Sequence, residues 1–268
     1  MTSIAASKFP AAPVVVGEEK TPPALTRYVR IPLWSKSTPQ WRQWTAVYIP
    51  SSVSSRSVSV DVILYLHGFR TAIPGSTKSI WGYLKHKCWP LREHLEMTGR
   101  QAVLIAPTLG PRGETQSLLN AGGLDSYLDQ ALASTASYWA SGAAPRLRNL
   151  ILAGHSAAGY PMRLLANSTN RYAALIREVW GFDCTYSAKE NADAKGWSRW
   201  ATRNPRSRLY IYYQPRTRTA GQAELLRGKL PNVTVEPTTA GRRDGIDPHF
   251  WVPIEHWRQR ILACPFFS

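Results

Sequence analysis

The chain has 268 residues, of which 44% are hydrophobic and 19% are charged, so it can bury a large core and is not a disordered segment. No run approaches the roughly 20 consecutive apolar residues that a membrane helix requires. The fullest apolar run near the start, residues 11–16, is interrupted by Pro13. We therefore expect no transmembrane segment and no signal peptide, which favours a cytoplasmic location.

The charge balance is strongly basic, with 33 Lys and Arg residues against 17 Asp and Glu residues and a formal net charge of +16. Such a surface attracts anionic polymers or surfaces. No nucleic-acid-binding signature accompanies the charge, so we expect no specific nucleic-acid partner. Three cysteines, Cys88, Cys184 and Cys264, are too few and too scattered for a disulfide scaffold or a zinc cage. No metal site is expected.

The first elements of the chain differ sharply in composition. Residues 1–25 hold four prolines among small and polar residues, which predicts a flexible N-terminal tail. Residues 27–33 and 44–49 read as two strands joined by a polar turn, and this pairing predicts an antiparallel leading edge. Residues 59–66 are β-branched and almost continuously apolar, as in a strand that is covered on both faces.

Strands and helices then alternate to the end of the chain. The pattern predicts further strands at residues 101–106, 150–153, 178–182, 209–213 and 233–236. It predicts helices at residues 90–97, 125–139, 157–167, 197–202, 221–230 and 253–263. Such alternation favours one α/β domain over residues 26–268, with a mostly parallel sheet of about eight strands and helices on both faces.

One strand runs directly into Gly154-His155-Ser156-Ala157-Ala158-Gly159, and a helix follows. The arrangement is close to the nucleophile elbow G-x-S-x-G, with Ala158 in the place of the second glycine and Gly159 one residue later. Small side chains are needed there because the backbone turns sharply under the helix. The turn lifts a serine hydroxyl clear of the sheet edge, near the positive end of the helix. Ser156 is the candidate nucleophile.

A second motif, His67-Gly68-Phe69, stands at the end of the strand at residues 59–66. Acyl transfer needs N–H donors that hold the oxyanion of the tetrahedral intermediate. The backbone amide of Ala157, directly after the serine, and that of Phe69 are placed to supply them. Gly68 would let this loop approach the substrate closely.

With His67-Gly68-Phe69, the elbow around Ser156 and a histidine late in the chain, the sequence resembles the α/β-hydrolase superfamily of serine esterases and lipases. The resemblance extends from about residue 27 to the C-terminus, and it points to no particular subfamily. It implies the α/β-hydrolase fold, hydrolysis without a cofactor, and the chain order nucleophile, acid, histidine.

Two histidines follow the serine far along the chain. His249 lies in a turn-rich segment, residues 244–251, between the last strand and the last helix, where this fold delivers its catalytic histidine. His256 falls within the last helix and reads as a packed or surface residue. His155 is a poor base because adjacent side chains on a tight turn diverge. His249 is the candidate base.

The acid is assigned by its place at a strand end. Asp183 directly follows the strand at residues 178–182, at one of the two positions where the superfamily carries its acid. No carboxylate follows the strand at residues 209–213 until Glu224. Asp244 and Asp247 stay open as alternatives, although aspartate in such a segment commonly bonds its own backbone in a turn.

These residues together predict a carboxylic-ester hydrolase that acts through a Ser-His-Asp triad and an acyl-enzyme, on a small-molecule or polymer-borne ester. Two other functions remain open at this point. One is an amidase or peptidase with the same triad. The other is a non-catalytic protein on a hydrolase scaffold that binds a polyanion through its basic surface.

Overall fold

The computed structural model describes residues 13–21, 24–33, 43–68, 80, 84, 90–110, 113, 115–187, 191–239 and 247–268. The strands of this part are β1 (Val14–Thr21), β2 (Ala24–Arg30), β3 (Trp44–Ile49), β4 (Ser59–Leu66), β5 (Ala102–Pro107), β6 (Arg146–His155), β7 (Ile176–Phe182), β8 (Arg208–Tyr213) and β9 (Val233–Pro237). Its α-helices are α1 (Leu91–Thr98), α2 (Gly123–Ala133), α3 (Gly159–Asn167), α4 (Ala192–Arg203), α5 (Arg218–Glu224) and α6 (Pro248–Ala263).

The nine strands of the described part form one sheet in the order β1-β2-β3-β5-β4-β6-β7-β8-β9. The strands from β4 to β9 pair in parallel, whereas β1, β2 and β3 form an antiparallel edge. The expectation of a mostly parallel sheet with an antiparallel leading edge is therefore confirmed. Parallel strands end at the same edge of a sheet, so the residues after β4, β6, β7 and β8 lie near one another.

Helices cover both faces of the sheet, as the alternation predicts. One core cluster packs under α2, α3 and α4 and includes Leu128, Met162 and Trp197. The other packs under α1 and α6 and includes Leu95 and Trp257. Because the central parallel strands are buried on both faces, they read as apolar runs and not as alternating sequences.

The sequence predicts a flexible tail over residues 1–25, but the structure has a strand within this range. Residues 14–21 form β1, which pairs with β2, while residues 1–12 lie outside the described part. Val14 and Val15 are exposed, so β1 lacks the alternating burial that identifies a strand in a sequence. Backbone pairing holds it instead, together with ion pairs from Glu18 to Arg27 and from Glu19 to Arg92.

Helix α6 begins earlier than the sequence pattern suggests. The expected helix starts at Pro253, whereas α6 starts at Pro248 and has Pro253 in its interior. Asp247 caps the helix, because its Oδ1 accepts a hydrogen bond of 2.8 Å from the backbone N–H of His249. Pro248 occupies the first turn, where a missing N–H costs nothing. His249 therefore lies in the first turn of a helix and not in a loop.

Two of the three cysteines are described, and both Cys184 and Cys264 are free and buried. Cys88 lies outside the described residues. In the part of the chain that the structure describes, none of the helices is long and apolar enough to cross a membrane.

Candidate active site

Ser156 stands in a strained turn at the end of β6. It opens a short 3-10 turn, Ser156–Ala158, and its φ of 58° is rare for a residue with a side chain. Small residues make this turn possible. A Cβ on Gly154 would lie 3.3 Å from the Cβ of Ala158, and one on Gly159 would lie 1.8 Å from the carbonyl oxygen of Cys184. The local fold is the one that the spacing of glycine, serine and alanine predicts.

The loop after β4 reaches the serine at Gly68. A Cβ on Gly68 would lie 2.5 Å from the Cβ of Ser156, so only glycine allows this approach. His67 is buried and holds the loop. Its Nε2 accepts from the backbone N–H of Leu109 at 2.9 Å, so the proton is on Nδ1, which donates to the Gly68 carbonyl at 2.8 Å.

The structure brings Asp183 and His249 together across 66 positions of the chain. The Asp183 Oδ2 atom lies 2.6 Å from Nδ1 of His249. An ionised carboxylate can only accept, so the proton of this bond sits on Nδ1 and leaves Nε2 free to accept another. Asp183 follows β7 and His249 lies in the first turn of α6, which places the pair at the same sheet edge as Ser156.

Asp183 is buried, and several donors hold its carboxylate in place. Its Oδ1 accepts from the backbone N–H of Gln214 at 3.2 Å and from the Thr219 hydroxyl. Its Oδ2 accepts from Nε2 of Gln214 at 3.1 Å in addition to the histidine. These contacts keep the carboxylate oriented toward His249. Gln214 directly follows β8, so its position was readable from the sequence, but an amide at a strand end did not identify it as a partner of the acid.

Tyr186 is a site residue that the sequence reasoning missed. Its hydroxyl lies 3.3 Å from Nδ1 of His249, and its ring stands edge-on to the imidazole at 5.9 Å between centroids. Burial, assisted by the nearby Asp183 carboxylate, raises the pKa of Tyr186 above its usual value, and the Ser156 side chain partly offsets that rise. A neutral phenol therefore stands beside the serine, the histidine and the aspartate. Nothing in the spacing of Tyr186 marks this role.

Among the described residues, no hydrogen bond joins the Ser156 hydroxyl to the His249 ring. The Tyr186 phenol is a polar group that neighbours both side chains. Hydrogen bonds between catalytic groups are often long in a site without substrate and shorten when the substrate binds. The absence of this bond therefore does not argue against Ser156 as the nucleophile.

The other candidate residues take the following places. Asp247 caps α6, in keeping with its reading as a turn residue, and it makes no described bond to the His249 ring. His256 is buried and stacks on Tyr212 with ring centroids 3.9 Å apart. Ala157, expected to donate to the oxyanion, directly follows Ser156 in the turn. Phe69, the other expected donor, and Asp244 lie outside the described residues.

His155, the last residue of β6, is buried against the His249 ring. Its ring centroid lies 4.3 Å from that of His249, with the planes tilted by 36°. Burial, together with the neighbouring His249, lowers the pKa of His155 well below its usual value. The imidazole of His155 is therefore neutral. In the described part of the chain, no group of three or more His, Cys, Asp or Glu side chains could hold a metal ion.

Solved structures share this architecture over most of their length. The S-formylglutathione hydrolase of Agrobacterium tumefaciens is 12% identical, with a TM-score of 0.55 and coverage of 92% of this chain and 96% of its own. The chain has the α/β-hydrolase fold. A protein named FAE (14% identity, TM-score 0.51, 96% and 95% coverage) is similar as well. So is a Bacteroides fragilis protein assigned as an acetyl xylan esterase (12%, 0.50, 97% and 79%).

No family model matches the sequence, and the search of curated proteins found no match. At these low identities the structural likeness establishes the α/β-hydrolase fold alone. What the site does has to be argued from its own side chains.

Proposed function

We propose that this α/β-hydrolase is a serine-dependent carboxylic-ester hydrolase, with Ser156 as nucleophile, His249 as base and Asp183 as the acid that orients it. The 2.6 Å bond between Asp183 and Nδ1 of His249, at the sheet edge where Ser156 occupies its strained turn, carries the proposal. These three side chain types in this chain order are those of the superfamily that the sequence resembles.

In the proposed reaction, Nε2 of His249 takes the proton of Ser156 while the hydroxyl oxygen attacks the ester carbon. The Asp183 carboxylate stabilises the imidazolium that forms. The backbone amides of Ala157 and Phe69 are proposed to hold the oxyanion, and the close approach of Gly68 to Ser156 supports a donor from that loop. His249 then protonates the leaving alkoxide, and water releases the acid from the acyl-enzyme by the same steps.

The ester preference has its own support. Two of the similar structures are named as an S-formylglutathione hydrolase and an acetyl xylan esterase. The fold they share with this chain hosts many reactions, so the names support an ester substrate only together with the Ser156 site. We expect small p-nitrophenyl esters to be hydrolysed and the matching p-nitroanilides to be hydrolysed much more slowly.

The deciding experiment compares Ser156→Ala with Ser198→Ala, a partly exposed serine on α4, using p-nitrophenyl acetate and butyrate. We expect Ser156→Ala to lose activity by at least about 1,000-fold, because no other hydroxyl occupies the turn, and Ser198→Ala to match the wild type. Circular dichroism checks that both variants fold. Wild-type rates in Ser156→Ala would reject the proposal, and faster cleavage of anilides would make the enzyme an amidase.

A further inference from the structure

Helix α6 lacks one of its own hydrogen bonds at the catalytic histidine. In an α-helix the carbonyl of residue i accepts from the N–H four residues later. Four residues after His249 stands Pro253, which lies inside α6 and has no N–H to donate. The His249 carbonyl is thus deprived of its usual intrahelical donor, and it needs another partner, which water or a side chain can supply.

His155 supplies that partner from a different element. Its Nε2 lies 2.9 Å from the carbonyl oxygen of His249. A carbonyl can only accept, so the proton of the neutral His155 ring is on Nε2. The same ring packs against the His249 imidazole at 4.3 Å between centroids. His155 therefore contacts both the backbone and the ring of His249.

These contacts hold the backbone of His249 and one edge of its ring. Its N–H donates to Asp247, its carbonyl accepts from His155, and its Nδ1 donates to Asp183. His155 is also joined covalently to Ser156, at the turn where the nucleophile stands. A displacement of the start of α6 relative to the elbow would break the bond between His155 and the His249 carbonyl.

We propose that His155 is a positioning residue, which sets the distance between nucleophile and base by binding the His249 carbonyl that Pro253 leaves open. The inference rests on the proposed function. It gives the residue between glycine and serine in the elbow a role of its own, distinct from that of a base.

Two substitutions at His155 separate the hydrogen bond from the bulk of the ring. His155→Leu fills the space but donates nothing, whereas His155→Gln places an amide N–H near the position of Nε2. We expect His155→Leu to lower kcat for p-nitrophenyl butyrate at least about tenfold with KM within about twofold. We expect His155→Gln to recover most of that loss. A kcat in His155→Leu within twofold of the wild type would overturn the inference.

His256 is the matched control for His155, because it is also a buried histidine. It lies on α6, two turns after His249, and its ring stacks on Tyr212. His256→Leu and His256→Gln are expected to shift the urea midpoint but to leave kcat within about twofold of the wild type. If the substitutions at His256 lower kcat as much as those at His155, the loss does not depend on the hydrogen bond to the His249 carbonyl. That result would overturn the inference.

Pro253→Ala separates positioning from stability. It restores an N–H that can satisfy the His249 carbonyl inside α6, so in the double variant with His155→Leu we expect the urea midpoint to recover while kcat stays low. Recovery of kcat along with the midpoint would contradict a positioning role.

If Ser156→Ala is inactive while His155→Leu is fully active, this inference fails and the proposed function stands. If Ser156→Ala is active, the proposed function itself fails.

Discussion

Two buried carboxylates, one near the start of strand β7 and one just past its end, pair with side chains of helix α6. Near the start of β7, Glu178 accepts a 2.7 Å hydrogen bond from Nη2 of Arg260. Just past its end, Asp183 accepts a 2.6 Å bond from Nδ1 of His249. Both carboxylates are fully buried. The geometry of the two pairs is similar, but the partners differ in chemistry.

The partner decides what each pair can do. A guanidinium stays protonated at all ordinary pH values, so the pair of Arg260 can only dock the helix on the sheet. The Arg260 guanidinium also lies 3.5 Å from the centroid of the Tyr210 ring, which adds to that docking. An imidazole can both accept and donate a proton, so the pair of His249 can take part in proton transfer. We call the pair of Glu178 and Arg260 the structural end of the contact between β7 and α6, and the pair of Asp183 and His249 its chemical end.

The sharpest way to break this comparison is to neutralise each carboxylate in turn. We expect Asp183→Asn to lower kcat by about 1,000- to 10,000-fold, because the amide can no longer hold the Nδ1 tautomer or stabilise the imidazolium. Glu178→Gln keeps the shape and should leave kcat within about threefold of the wild type. Ester hydrolysis measures both. Equal losses in the two variants would mean that the ends are not distinct.

The structural end should respond in stability. Arg260→Met leaves the Glu178 carboxylate buried without its cation, and we expect a loss of about 3–5 kcal/mol in the free energy of unfolding. Urea unfolding measures it, with Arg258→Met, an exposed arginine on the same helix, as the control. A double variant with Glu178→Met should regain most of the loss, since no buried charge remains. A loss below about 1 kcal/mol in Arg260→Met would contradict the docking role.

Tyr186 neighbours the chemical end, and we expect its hydroxyl to contribute less to kcat than Asp183 does. Tyr186→Phe removes only the hydroxyl that stands beside Ser156 and His249, and we expect kcat to fall about tenfold, the equivalent of one hydrogen bond of roughly 1.4 kcal/mol. Tyr160→Phe, an exposed tyrosine at the start of α3, is the control. Unchanged kcat in Tyr186→Phe would show that the Tyr186 ring packs against the site and that its hydroxyl does not contribute to the reaction.

His155, which packs against the His249 ring, should make the stability of the protein depend on pH. The pKa of His155 in the folded chain lies well below 6.5, because burial disfavours its charged form. The unfolded chain takes up the proton first, so this residue lowers the free energy of unfolding as the pH falls below about 6.5, by up to about 1.4 kcal/mol per pH unit. In His155→Gln that contribution disappears. Urea unfolding at pH 7.5 and pH 5.5 measures the change in the free energy of unfolding between the two pH values. The same change in the wild type and in His155→Gln would contradict the prediction.

Much of the fold was readable from the sequence, because buried parallel strands leave long apolar runs and an elbow needs small residues. The runs at β4, β5 and β6 marked the centre of the sheet, and the glycines around Ser156 marked the turn. The pairing of Asp183 with His249 was reached by chain order and strand ends, which are topological features. Strand β1 was missed because Val14 and Val15 are exposed and the strand is held by backbone pairing and ion pairs.

The contacts around His249 were harder to foresee. Pro253 reads as a helix start, and only the structure shows that it lies inside α6 and frees the carbonyl of His249. The spacing of His249 and Pro253, four residues apart, carries that information once the helix is known. Tyr186 and Gln214 act through the close approach of two loops, for which a single sequence contains no local signal.

The most direct test of the account is covalent labelling by a fluorophosphonate, which reacts with activated serines, followed by mass-spectrometric mapping of the adduct. We expect one adduct at Ser156, absent from Ser156→Ala and formed far more slowly in Asp183→Asn when both variants are folded. Labelling of another serine, or no labelling of a folded wild-type protein, would contradict it.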